Sequence, residues 1–265
     1  MLGKMEKDGY DYDAALKEAQ DLGYAEADPT ADVEGHDVRA KICILAKLAF
    51  GTTVKDIANV PCKGISTITS IDFDNAKELE ATIKLVGTAQ AAKDGDGDKR
   101  TLSVYVTPMM VPIVGHPLGS AQGSGNIVLI DSLNMALCSY SGPGAGRYPT
   151  ANSVVADVCR FAKAKGQSDS SDLPSDSSVS TSKPFPLDCD DPLDEDYSAG
   201  SFYVRCTGGE AGGSSTSSFQ DTAAKYGLSI KTHNEKYVLT GPGKVSSVQA
   251  FSESIGASMF MPYIA

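Results

Sequence analysis

The chain has 265 residues, of which 41% are hydrophobic, with a formal net charge of −11; that is enough apolar material for one large domain or two smaller ones. No apolar run approaches the ~20 residues needed to cross a bilayer, and no basic stripe is present of the kind that binds nucleic acid. A membrane-spanning helical protein and a nucleic-acid binder are thereby set aside.

The charge is concentrated. Residues 167–200, "QSDSSDLPSDSSVSTSKPFPLDCDDPLDEDYSAG", carry nine acids and one lysine; the remaining chain has 25 acids and 22 bases. That segment is rich in Ser, Asp and Pro and too polar to collapse, so it is expected to be a flexible linker. The opening residues, "MLGKMEKDGYDYD", match neither an apolar signal nor an Arg/Ser-rich transit segment. Six cysteines (43, 62, 138, 159, 189 and 206) are scattered without a CxxC. They read as reduced, mostly buried thiols of an intracellular protein, with no metal site.

In chain order, Asp13 is placed to cap a helix bearing Ala15, Leu16, Ala19 and Leu22 and stopped by Gly23. A second helix is expected from Asp37 to Phe50, ending at Gly51, and a short one over 73–81 after Asp72. "TIKLVGTAQAA" and "TLSVYVTPMMV" read as strands joined in a hairpin by "DGDGDKR", followed by strands "NIVLIDSLN" and "MALCSYSG". "PTANSVVADVCRFAKAK" is a helix with Pro149 in its first turn. Helices flanking a mixed sheet make an α+β fold with α/β layers.

Beyond the linker, strand-like "SFYVRCTG", helical "TSSFQDTAAKYG", strands "LSIKTH" and "KYVLTG", helical "KVSSVQAFSESIG" and strand "ASMFMPYI" give the order βαββαβ. That is the ferredoxin-like pattern. Small regulatory modules of the ACT type share it, an analogy at the level of fold alone. The expected organisation is a domain over 1–166, the linker over 167–200 and a small domain over 201–265.

"GYAEADPTADVEGHDVRAK" concentrates charge where the second helix begins. Asp37 and Lys41 are four residues apart and share a helix face. With Val38, Ile42, Leu45, Leu48 and Ala49 as the apolar stripe, Lys41 falls inside it. Two readings stay open on spacing: an ordinary surface pair, or a lysine drawn inward, held by Asp37 with Glu26 or Asp32, and able to donate a proton.

"LGYAEADPTADVEGHDVRAK" and "GPGAGRYPTANSVVADV" resemble the two signature regions of homoserine dehydrogenase, over about 1–165, and the tail resembles that family's ACT extension. The resemblance implies reduction of L-aspartate 4-semialdehyde to L-homoserine with NADP(H) or NAD(H). It implies Lys41 as the general acid and Glu26 and Asp37 as substrate-binding carboxylates. Gly23, Glu26 and Gly146 are implied as cofactor contacts, the glycines through their main chain. Asp32 would orient Lys41 or the loop, and Tyr24 and His36 have no assigned part.

The family's dinucleotide-binding motif, G-x-G-x-x-G, is not in this sequence. By the resemblance, that domain and the relatives' sodium site would lie upstream of residue 1, and this stretch alone would not hold the nucleotide. A non-catalytic regulatory or binding subunit retaining the scaffold is the second reading. A homodimer through the sheet of residues 82–140 is expected, because "LSVYVTPMMV" and "NIVLIDSL" are apolar on both faces. Cytoplasm is the expected compartment, with a plastid as the alternative.

Overall fold

A computed structural model describes residues 1–23, 25–93, 100–167, 196–206 and 216–264. The helices are α1 (Leu2–Asp8), α2 (Tyr12–Asp21), α3 (Thr30–Val33), α4 (His36–Phe50), α5 (Ser70–Glu78), α6 (Arg147–Gln167), α7 (Thr216–Lys225) and α8 (Val245–Ser254). The strands are β1 (Ala81–Lys93), β2 (Arg100–Pro112), β3 (Gly125–Ser132), β4 (Ala136–Pro143), β5 (Ser198–Ala199), β6 (Phe202–Arg205), β7 (Ile230–His233), β8 (Tyr237–Thr240), β9 (Gly243–Lys244) and β10 (Met259–Pro262). Among the described residues, no helix is long and apolar enough to cross a membrane.

The expected α+β composition is present, but among the described residues the first part of the chain has no single mixed sheet. β1 pairs with β2 and β3 with β4, each as a separate antiparallel ribbon. The turn between β1 and β2 lies outside the described residues. The tail forms a four-stranded antiparallel sheet in the order β10-β6-β8-β7, with α7 and α8 supplying the two helices of βαββαβ. This is the strand order of a ferredoxin-like module.

Local chemistry moves several boundaries. Asp11, not Asp13, caps α2: its carboxylate accepts from the Ala14 N–H at 2.8 Å. The short helix starts earlier than expected, because Thr69 and Asp72 form a reciprocal capping box that places Asp72 inside the first turn of α5. α1 and α3 were not legible in the sequence: both are short and carry little apolar periodicity.

The chain divides into two compact units, one formed by 1–119 together with 196–264, the other by the described part of 120–185. The expected boundary between a domain over 1–166 and a separate tail over 201–265 is therefore not where the contacts divide. One core combines Met5, Ala15, Ile68, Phe73 and Ile83 with Tyr203, Leu239 and Met261 of the tail. The Ile264 N–H donates to the Met110 carbonyl at 3.0 Å, tying the end of the tail to β2.

β2 explains its own sequence. Leu102 and Val104 face the core under α4, with Cys43 and Ala46. Tyr105, Met109 and Val111 face Tyr197, Phe202 and Val204 of the tail. Both faces are apolar because both are covered within one chain. The dimer expectation loses that part of its basis. The expected linker also ends sooner than residue 200: Tyr197 stacks on Tyr105 with ring centroids 3.6 Å apart, and Asp196 accepts from Ser246 N–H at 2.8 Å. Residues 168–195, most of that segment, lie outside the described residues.

In the second unit, the β3–β4 hairpin leaves Ile130, Leu133, Met135, Leu137 and Tyr140 exposed, and α6 leaves Val154, Val155, Val158 and Phe161 exposed. The described cysteines carry free thiols, with Cys43 and Cys206 buried, Cys62 and Cys138 partly so, and Cys159 exposed. Burial raises the thiol pKa of Cys43, Cys62 and Cys206.

Candidate functional site

The site is assembled by three turns in succession. After α2 the chain turns at Gly23, whose φ of +72° favours glycine and whose open side has no atom within 4 Å of an added Cβ. The Gln20 amide donates to the Glu26 carbonyl at 3.0 Å and holds the loop, leaving the Glu26 side chain exposed. Asp28 then accepts from the Thr30 N–H at 3.1 Å and hydroxyl at 2.6 Å, which starts α3 and holds the Asp28 carboxyl below its ordinary pKa.

The third turn is Gly35, at φ +79° and buried. An added Cβ would sit 3.1 Å from Val106 and 3.3 Å from the Cys62 sulfur, so glycine is required both for conformation and for space. Immediately beyond it α4 begins, with Asp37 in the first turn, where a carboxylate favours the helix N-terminus.

Lys41 Nζ donates to Asp37 Oδ2 at 2.6 Å, and the two side chains are 54% and 46% exposed. Of the two readings left open by spacing, the inward lysine is not the one observed: Lys41 lies on the outer face of α4 with Asp37, Ile44 and Leu48. The buried face is Cys43 and Ala46, flanked by Val38 and Ile42. Leu48, expected in the core stripe, is 72% exposed. α4 is apolar around most of its circumference, so the pattern could not choose a face. The choice is made by packing on β1 at Gly87, where an added Cβ would lie 2.9 Å from Ile42 Cβ and 3.0 Å from Val38 Cγ1, so only a glycine lets this face of α4 sit against the strand.

The structure brings Asp37 and Lys41 together and places Gly23 and Glu26 in the loop leading to α3. Asp32 and His36 are exposed, and Tyr24 lies outside the described residues. Gly146 belongs to the second unit, where it opens α6: its φ is +123° and its carbonyl accepts from the Thr150 N–H at 3.1 Å. In the same turn an added Cβ on Gly144 would strike the Asn126 side chain at 2.1 Å. At Gly23 open space adjoins a backbone freed of side chain, which leaves room for a ligand to approach the main chain. No glycine-rich pyrophosphate loop accompanies it in this chain.

Chemically, the arrangement offers an accessible ammonium fixed by one carboxylate, with a second carboxylate on the preceding loop. It can bind a zwitterionic substrate and present a proton to a carbonyl oxygen. Sequence reasoning missed what supports α4 from behind. Arg39 reaches the Ala58 carbonyl at 3.3 Å, and the Cys62 thiol meets the Glu34 carbonyl at 3.1 Å. It also missed a buried cluster in which Asp72 binds Arg205 at 2.5 Å and accepts from the Tyr203 hydroxyl at 3.0 Å. The one sign of that cluster was an arginine closing the apolar run "FYVR".

The sequence profile of the homoserine dehydrogenase family matches residues 1–159. Over 163 residues the chain is 44% identical to the homoserine dehydrogenase of Mycobacterium leprae, covering 62% of this chain and 36% of that protein. The Bacillus subtilis homoserine dehydrogenase is 45% identical over 163 residues, with the same shares covered. A homoserine dehydrogenase structure from Thiobacillus denitrificans matches with a TM-score of 0.75 at 28% identity, over 99% of this chain and 61% of that one. The chain thus spans 36% of the length of these two curated relatives.

Proposed function

The chain belongs to the homoserine dehydrogenase family, and from that premise we propose that it supplies the substrate-binding and proton-donating part of an enzyme that reduces L-aspartate 4-semialdehyde to L-homoserine. The observation that carries the proposal is the Lys41–Asp37 pair at 2.6 Å on the accessible face of α4. A nicotinamide nucleotide, NADPH or NADH, supplies the hydride when bound. As negative charge grows on the carbonyl oxygen, Lys41 stabilises it and donates a proton from Nζ. Asp37 fixes the direction of that ammonium, and Glu26 with Asp37 binds the substrate's α-ammonium. Gly23 and Gly146 offer main chain to the nicotinamide end of the cofactor.

The same proposal places the reaction in the biosynthesis of threonine, methionine and isoleucine, in the cytoplasm. The tail is an ACT-like regulatory module by its strand order. The enzyme is a homodimer, a reading that the exposed apolar side chains of β3 and β4 support. The reading as a non-catalytic subunit is less well supported, because Lys41, Asp37 and Glu26 are all retained and the first two are paired. The test is steady-state reduction of L-aspartate 4-semialdehyde by this chain joined to a nucleotide-binding domain. Glu26→Gln should raise KM for the aldehyde while leaving KM for NADPH nearly unchanged. An unaltered aldehyde KM would remove Glu26 from the substrate site.

A further inference from the structure

We propose that Lys63 is a positioning residue, linking the last strand of the tail to the start of α4 and so to Asp37 and Lys41. The inference rests on the reading that those two residues do the chemistry, and its physical content is a continuous set of contacts through residues 61–65. On the tail side, Lys63 Nζ donates to the Phe260 carbonyl at 2.8 Å and lies 4.6 Å from the centroid of the Phe260 ring. Phe260 is in β10, paired with Val204 of β6, so the lysine holds the tail sheet itself. In the middle, the Lys63 N–H donates to the Val106 carbonyl at 2.9 Å and the Val106 N–H to the Pro61 carbonyl at 2.8 Å, which fixes the segment on β2.

On the α4 side, the Cys62 thiol meets the Glu34 carbonyl at 3.1 Å, and the Ile65 N–H donates to the Val33 carbonyl at 2.8 Å. No slack exists between these two stretches of backbone. A Cβ built on Gly64 would lie 2.4 Å from the Val33 carbonyl oxygen and 2.5 Å from Glu34 Cα. Close-packed contacts of this kind transmit a displacement rather than absorb it. Moving residues 61–65 therefore moves the Val33–Gly35 turn, and α4 begins one residue later. The lysine is well suited to report on the tail, since its ammonium is desolvated against Phe260. Burial first, and then the nearby Arg205 guanidinium, lower its pKa below the ordinary lysine value.

Amide hydrogen exchange on the full chain, without substrate or cofactor, tests the link. Lys63→Met and Lys63→Gln should speed exchange at Ile65, Arg39 and Lys41 by about 2- to 30-fold, the range typical of a coupling position. Exchange at Val104 in the core should stay unchanged, and Lys63→Arg should restore most of the protection. Lys236→Met cuts another attachment of the tail, an exposed ion pair with Glu78 on α5, and should leave α4 unaffected. Unchanged exchange at α4 in both Lys63 variants would overturn the proposal, as would acceleration spread evenly over the core or an equal effect of Lys236→Met. Failure of both Lys63 variants to fold would also overturn it, making Lys63 a holder of the fold only. Because no turnover is measured, a negative result here leaves the chemistry assigned to Lys41 standing, and inactivity of the enzyme leaves the link standing.

Discussion

Asp72 and Arg205, 133 residues apart, meet at 2.5 Å with the carboxylate fully buried, and through them the tail is joined to α5. The pair is embedded rather than isolated. Arg205 also donates to the Thr69 hydroxyl at 2.8 Å and the Ser258 hydroxyl at 3.0 Å, while Asp72 takes the Tyr203 hydroxyl at 3.0 Å. A buried ion pair adds little over a well-packed apolar pair, but breaking one leaves an uncompensated charge.

Arg205→Met should therefore destabilise the chain by about 3–5 kcal/mol, because it strands the Asp72 carboxylate in the core. Adding Asp72→Asn to that variant should recover part of the loss. Urea unfolding of the single and double variants measures both. A loss below about 1 kcal/mol in the single variant would mean that water reaches Asp72 once the arginine is gone.

Alkaline pH should unfold the protein early. Burial raises the phenol pKa of Tyr203, Tyr197 and Tyr105, with the Asp72 charge adding to the first and Tyr105 to the second. Above the ordinary tyrosine value of about 10, the unfolded chain releases protons that the folded chain still holds, so stability falls as pH rises. The urea midpoint should be flat just below that pH and decline above it. Tyr203→Phe should make the decline shallower, and an identical slope in that variant would assign the effect elsewhere.

Gly87→Ala probes the seating of α4. The added methyl would meet Ile42 Cβ at 2.9 Å and Val38 Cγ1 at 3.0 Å, both close to their own backbone and unable to swing aside. Overpacking of this kind costs about 1–3 kcal/mol. In the joined enzyme kcat should fall with it, since α4 carries Lys41. A fully stable, fully active variant would show that the helix has room to shift.

Lys41→Ala separates chemistry from stability. The pair with Asp37 is about half exposed, so its removal should change the unfolding free energy by less than about 1 kcal/mol. In the joined enzyme kcat should drop by about 10²–10⁴-fold, as for loss of a general acid. The KM for NADPH should change little. Near-normal kcat would return Lys41 to the role of an ordinary surface cation.

The β3–β4 hairpin gives the test of assembly. Tyr140 pairs with Val128 across the ribbon and so shares a face with Ile130, and both Ile130 and Tyr140 are exposed. Contiguous apolar surface of this sort marks an interface. Light scattering at micromolar concentration should show a dimer for the parent chain and a monomer for Ile130→Arg. A parent chain that is already monomeric would dismiss the homodimer.

Local signals were legible wherever the cause lay within a few residues. The βαββαβ order of the tail followed from alternation and turn residues. α4 ended where its glycine adopts φ +71°, and β1 and β2 paired as their apolar runs suggested. The charged stretch before α4 marked Glu26, Asp37 and Lys41 through residue type, spacing and family resemblance. Which face of α4 is buried was another matter: Ile42, Cys43, Ile44, Leu45, Ala46 and Leu48 are apolar nearly all round, so periodicity was satisfied equally by rival stripes. Packing against β1 at Gly87 settled it and turned Lys41 outward. Likewise the two apolar faces of β2 suggested a partner, and the partner proved to be the chain's own tail. Asp72 and Arg205, and Lys63 with Phe260, carry no mutual signal in the sequence, because pairing across more than 130 residues depends on the path of the backbone and on which charges are sealed from water together.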